Sequence, residues 1–261
     1  MAGRLVLIGA GRMGTTLLAG WARARPAFAV EIVEPGQTRA FASDAAKLGA
    51  RINPPAAPAD VVVLAVKPQT FAAEPDGLRA WVGPQSTVIS IMAGVPVAAL
   101  RGLGAGAVAR AMPNTPGAIG KGVTAVFGTD AGALAAAQTL LAPLGSVEVV
   151  ASEGAIDIAT AVSGSGPAYV FLLVEALAGA AVAQGLDEDV AMRLARRTVI
   201  GAGALLEADE TDAAGLRRAV TSPGGTTQAA LGELMAEDGL GFVMRRAVAA
   251  AVRRARELAG A

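Results

Sequence analysis

From residue 5 to residue 150, short apolar runs alternate with stretches whose apolar positions recur at helical spacing. The runs at 5–8, 30–33, 61–65, 87–91, 107–111 and 123–127 read as strands, with another short one at 147–150. Val61-Val62-Val63-Leu64-Ala65 is apolar at every position instead of alternating, as expected of a central strand covered on both faces. Strands separated by helical stretches predict crossover units around a parallel sheet, an α/β fold.

After Ser152 the β-branched clusters give way to long alanine- and leucine-rich segments, so the rest of the chain is expected to be all helical. Its stretch 169–174 is hydrophobic all round and needs cover on every side, for which a subunit partner is the natural source. No run reaches the roughly 18 uninterrupted apolar residues of a membrane span. The nearest, 159–174, contains Ser163, Gly164, Ser165, Gly166 and Pro167, is followed by Glu175, and is read as a buried helix start. The apolar run at 5–10 is short for a signal peptide and leads into Arg12, so the chain reads as cytoplasmic with no membrane partner.

A length of 261 residues suggests two domains. Lys and Arg together number 22, as do Asp and Glu, which leaves no basic excess for nucleic-acid phosphates. The absence of cysteine excludes disulfides and thiolate nucleophiles, and the absence of histidine excludes imidazole acid–base chemistry. No metal site is expected.

Gly9-Ala10-Gly11-Arg12-Met13-Gly14 follows the first strand and opens a helix. Glycines there let the backbone turn sharply and approach a pyrophosphate, while the helix start offers N–H groups and positive dipole. Glu34 at the end of the second strand can accept from adenosine ribose hydroxyls and repel a 2'-phosphate, which favours NADH, although Arg39 nearby could pair with a phosphate. Two further loops lie at strand C-termini, Ala65-Val66-Lys67-Pro68-Gln69 and Ala111-Met112-Pro113-Asn114-Thr115-Pro116. In the helical half, Ser163-Gly164-Ser165-Gly166-Pro167-Ala168-Tyr169 reads as a helix start, and Thr221-Ser222-Pro223-Gly224-Gly225-Thr226-Thr227 repeats that chemistry before a helix at 228–236. Both offer N–H groups and hydroxyls to an anion such as a carboxylate.

Taken in order, these five motifs resemble those of the pyrroline-5-carboxylate reductases, enzymes that make proline, and the match runs from residue 5 to about 235. The resemblance implies a Rossmann-type dinucleotide-binding domain at 1–151 and an all-helical dimerisation and substrate domain at 152–261. It also implies a substrate site shared between subunits, and homodimers that assemble into rings. By position, Ile8, Gly9, Ala10, Gly11, Arg12, Met13 and Gly14, with Ala65, Val66, Lys67 and Pro68, would contact NADH or NADPH, and Ile91, Met92, Ala93 and Asn114 would lie near the nicotinamide. Ser222, Gly225, Thr226 and Thr227 resemble the loop that binds 1-pyrroline-5-carboxylate, with Thr227 assigned the catalytic role, and Glu153 resembles an acid near the substrate. Where many members carry Asn-Arg-Ser for a 2'-phosphate this chain has Glu34-Pro35-Gly36, and the usual His-Pro and Arg-Asp are Asp212-Ala213 and Arg217-Arg218.

Reduction of a cyclic imine accounts for the missing histidine: the imine can enter already protonated and accept hydride without an acid on the protein. Rival readings are a β-hydroxyacid-dehydrogenase-like reductase, which needs a lysine in the second domain where none follows Lys121, and a dinucleotide sensor without turnover. Short-chain dehydrogenases are excluded because the sole tyrosine, Tyr169, has Leu173 where a lysine is required.

Overall fold

The computed structural model describes residues 3–36 and 39–260, with 39, 40, 259 and 260 described by backbone alone. The reading of Arg39 as a phosphate partner therefore lies outside the described side chains. Two compact units emerge, Met1–Ser165 with Ala251–Ala261, and Gly166–Ala250.

The first unit is built on β1 (Gly3–Ile8), β2 (Phe28–Val33), β3 (Arg51–Ile52), β4 (Val61–Leu64), β5 (Thr87–Ser90), β6 (Ala107–Met112), β7 (Gly122–Gly128) and β8 (Gly145–Val149), in the order β3-β2-β1-β4-β5-β6-β7-β8. Helices α1 (Arg12–Ala24), α2 (Arg39–Leu48), α3 (Pro68–Ala73), α4 (Pro75–Arg79), α5 (Val97–Arg101) and α6 (Ala131–Leu141) connect the strands, and α7 (Glu153–Ala159) follows β8. Strand β4 is buried at all four positions, as its unbroken apolar run requires. Alternate residues feed two cores. Leu5, Leu7, Val61 and Val63 pack with Leu17 and Trp21 of α1 and Leu140 of α6, while Val6, Ile8, Val62 and Leu64 pack with Leu78, Trp81 and Leu100.

One expectation is corrected. The strands from β3 to β6 are mutually parallel, but β7 runs antiparallel to β6, and β8 follows β7. The segment 113–121 contains a short 3-10 turn, Thr115–Ile119, and falls short of the dozen or so residues that a parallel crossover needs. β3 escapes a pattern reading because it is two exposed residues with no apolar run.

The second unit contains α8 (Gly166–Ala183), α9 (Glu188–Ala208), α10 (Ala213–Ala219) and α11 (Thr226–Leu234), and α12 (Leu240–Gly260) begins in it. No strand occurs after residue 152 among the described residues. Its buried apolar residues are Ala178, Ala191 and Ala195, and Val170, Phe171, Leu172, Leu173 and Leu177 are exposed in the isolated protomer, Phe171 by 62%.

The serine–glycine motif spans the start of α8, which opens at Gly166 with Pro167 in its first turn, but no loop precedes it. A π turn, Thr160–Gly164, carries the helix from α7 into α8, where the Ser165 amide donates to the Thr160 carbonyl at 2.9 Å and the Ser163 hydroxyl donates to the Ala159 carbonyl at 2.9 Å. A wider turn carries the glycines between the two helices, and residues 163–167 are half-buried where a buried start was expected. Glu153–Ala183 is consequently one run of 31 residues, long and apolar enough by length and composition to cross a membrane.

Candidate active site

The glycine loop sits at the C-terminal end of β1, the edge at which open parallel sheets bind ligands. Gly9 has φ +92°, and a Cβ on it would lie 2.8 Å from the Ala65 carbonyl carbon. On Gly14 a Cβ would collide with the Gly9 carbonyl oxygen. These two glycines close the loop against β4 and seat α1. Gly11 differs: its Cβ would meet nothing within 4 Å, and it caps α1 with no side-chain hydrogen bond. Space is therefore open beside the start of α1, where first-turn amides lack helix partners and an anion such as a pyrophosphate can be bound.

Beside the loop lies a cavity of about 510 Å³. Of the predicted residues, Ile8, Gly9, Gly11, Glu34, Ala65, Val66 and Lys67 line it. Ala10, Arg12, Met13, Gly14 and Pro68 build the same edge without lining the cavity, and Ile91 and Met92 are buried in the core with Ala93 half-buried. Thr70 in α3, Glu74 between α3 and α4, and Trp81 just after α4 also line it and carry no motif in the sequence.

The Glu34 carboxylate is held from two sides. It accepts from the Ala10 amide at 2.6 Å and from the Gly36 amide at 2.7 Å. Asn53 brackets its backbone, donating from Nδ2 to the Glu34 carbonyl at 3.0 Å and accepting from the Glu34 amide at 2.8 Å. The acid is thus part of the glycine-loop wall and not a free surface group.

Asn114 and Glu153 occupy a second cluster in the first unit. Asn114 is buried, donating from Nδ2 to the Ser163 carbonyl at 3.1 Å and accepting on Oδ1 from the Val123 amide at 3.0 Å. Glu153 accepts on Oε1 from Arg110 Nη1 at 2.8 Å and from the Val97 amide at 2.7 Å. Arg110 was not singled out by motif; its signal is a lone cation within the apolar run of β6.

In the second unit, Gly225 caps α11. Gly224 has φ +67°, and a Cβ on Gly225 would lie 2.6 Å from the Ser222 hydroxyl, so each glycine is required for its own reason. The Gly224 amide donates to Gln228 Oε1 at 2.6 Å and the Gly225 amide to the Ser222 carbonyl at 3.1 Å. The first bond into the helix runs from the Ala229 amide to the Gly225 carbonyl. Amides of Thr226, Thr227 and Gln228 precede it and point out of the helix end. The donor set is therefore shifted from the two glycines to the residues after them. Asp212, in place of the family histidine, caps α10 by accepting from the Gly215 amide at 2.5 Å.

Residues 153–258 match the family model for pyrroline-5-carboxylate reductase dimerisation, and residues 4–94 match that for coenzyme F420-dependent NADP oxidoreductase. The chain is similar to pyrroline-5-carboxylate reductase of Pseudomonas aeruginosa, 39% identical with 98% of this chain and 97% of that one covered. Similarity to the Vibrio alginolyticus enzyme of the same name is 35%, again over 98% and 97% of the two chains. Among solved structures, a pyrroline-5-carboxylate reductase from Coxiella burnetii superposes with a TM-score of 0.84 at 32% identity, covering 99% of each chain. A likeness of this level, sustained through both the glycine-loop unit and the helical unit, means that the chain belongs to the pyrroline-5-carboxylate reductase family.

Proposed function

We propose that this chain reduces 1-pyrroline-5-carboxylate to L-proline with NADH or NADPH. The observation that carries the cofactor half is the glycine cradle: two glycines locked by contact, and a third, Gly11, open where a pyrophosphate would approach. Reduced nicotinamide, when bound, supplies the hydride. The substrate half rests on full-length relatives of that activity.

The protein's part is binding and orientation. Amides of Thr226, Thr227 and Gln228, at the positive end of α11, hold the substrate carboxylate. The Thr227 hydroxyl accepts from the protonated ring nitrogen and fixes the face presented to hydride. Hydride adds to the imine carbon, the C=N π pair becomes the nitrogen lone pair, and the proton already on nitrogen stays there. No protein acid is needed, in keeping with a chain that contains no histidine.

Glu34 favours NADH over NADPH, since a carboxylate held by two amides cannot retreat cheaply from a 2'-phosphate. Residues 1–151 form the dinucleotide-binding domain and 152–261 the dimerisation and substrate domain. A second copy covers the apolar helices: three buried alanines are too small a core for the second unit, and Phe171 and Leu172 stand exposed in one protomer. A second copy, and not lipid, is the favoured cover for Glu153–Ala183, because the dimerisation model spans it. Rings of dimers and a cytoplasmic location complete the proposal; sedimentation of the purified chain tests the assembly. The activity is tested by following oxidation of NADH and NADPH with the imine present and identifying proline.

A further inference from the structure

β5 ends at Ser90, and the segment 91–96 crosses the ligand-binding edge of the sheet before α5 starts at Val97. α5 is short, with Pro96 at its cap and no side-chain cap. The Val97 amide instead donates to Glu153 Oε1, fifty-six residues away in sequence. The same oxygen accepts from Arg110 Nη1. Arg110 lies on β6 in register with Ser90, the last residue before the crossing segment, and its side chain is 4% exposed. Asp157, one turn after Glu153 on the same face of α7, holds Oδ1 3.7 Å from Arg110 Nη2. Arg110 Nε and Nη2 have no hydrogen-bond partner among the described residues, so the guanidinium depends on these two carboxylates for compensation. Farther along, Asn114 ties the loop after β6 to the π turn through the Ser163 carbonyl.

We infer that Glu153 is a positioning residue and not a substrate ligand: locked by Arg110, its carboxylate anchors the far end of segment 91–96 and thereby sets the wall against which the nicotinamide lies. The inference rests on the reading that this edge takes a dinucleotide, and it is independent of which imine is reduced. Oε1 already takes two donors, one of them a buried guanidinium, which fixes the carboxylate in place, while the side chain as a whole stays 35% exposed. The arrangement joins β5's exit, β6 and α7 at one atom, so a change there moves the segment and leaves the glycine cradle at β1 untouched.

The test compares Glu153→Ala and Glu153→Gln with the wild type for binding of NADH and of ADP-ribose, which lacks the nicotinamide, together with the KM for 1-pyrroline-5-carboxylate. In Glu153→Ala, NADH is expected to bind about tenfold more weakly, the order set by losing one charged hydrogen bond, with ADP-ribose within about twofold of wild type. Glu153→Gln, whose amide oxygen still accepts from Val97 and Arg110, is expected to restore NADH binding to within about threefold. It also keeps the comparison available if the alanine variant does not fold. Equal weakening of NADH and ADP-ribose would make the residue merely structural, and unchanged NADH binding with a raised imine KM in both variants would make it a substrate ligand. Either result, or no change at all, overturns the inference. A wild type that binds NADH but reduces no imine would instead refute the proposed reaction while leaving the two binding titrations to decide the role of Glu153.

Discussion

Replacing Gly11 by Ala adds one methyl group at a position where no heavy atom of the chain lies within 4 Å and where φ is −63°, a value any residue adopts. The fold should barely register it. Alanine is a poorer helix cap than glycine by up to about 1 kcal/mol, which for a chain of this size lowers Tm by about 2–4 °C. A pyrophosphate seated on the α1 amides would meet the methyl directly, and crowding of that kind costs about 1–3 kcal/mol, or roughly fivefold to 150-fold in Kd. Gly14→Ala provides the contrast, because its methyl collides with the Gly9 carbonyl and the folded chain itself must shift. The assay is NADH binding by nicotinamide fluorescence alongside a thermal melt of both variants. Weak binding with a near-native melt is expected for Gly11→Ala, and a depressed melt for Gly14→Ala. If Gly11→Ala bound NADH as the wild type does, the loop could not be the pyrophosphate cradle.

Three further outcomes follow from the same geometry. Glu34→Ser should move the ratio of specificity constants toward NADPH, because a like charge about 4 Å away costs between about 1 and 4 kcal/mol depending on solvent access; an unchanged ratio removes Glu34 from cofactor choice. Thr227→Ala should lower kcat/KM for 1-pyrroline-5-carboxylate by about ten- to a hundredfold with cofactor affinity and melting temperature retained, since Gly225 and not Thr227 caps α11. Asp130 caps α6 through the Ala133 amide, and that bond above all, against an opposing effect of burial, holds its carboxyl below the usual 3.8. A depressed folded-state pKa means stabilisation that is present above the unfolded value and lost as pH falls through the folded one. Wild type should therefore exceed Asp130→Ala by about 1 kcal/mol at neutral pH, with the gap closing in acid below 3.8, and a gap that held constant to pH 2 or so would exclude the ionised cap.

The parts of the fold legible in the sequence are those where a local pattern has one structural solution. A strand that is apolar throughout, such as Val61 to Leu64, must be central, and a glycine motif between that kind of strand and a helix must turn where Gly9 turns. Reversal of β7 has no such local signature; it follows from the shortness of 113–121, a length argument that strand patterns alone do not raise. Ser163 to Pro167 has the composition of a helix start and α8 does open at Gly166, yet a π turn and not a loop leads into it, since residues 153–159 are themselves helical and the Ser163 hydroxyl bonds back onto that helix. Arg110 has no motif of its own, because the meaning of a charge inside an apolar strand depends on partners that lie on a helix far along the chain. Glu74 and Trp81 line the cavity beside the glycine loop from turns flanking α4, where nothing in the sequence marks them apart from ordinary packing. The loop at 222–227 is legible as a helix start, but which of its amides stay free depends on Gln228 reaching back to Gly224, a contact with no signature in the sequence.

Imine reduction is tested by the rate of NADH and NADPH oxidation by the purified chain with 1-pyrroline-5-carboxylate, with the product identified chromatographically. Imine-dependent oxidation, equimolar L-proline and faster turnover with NADH are expected. A chain that binds NADH through the glycine cradle yet oxidises neither cofactor in the presence of the imine would contradict that expectation.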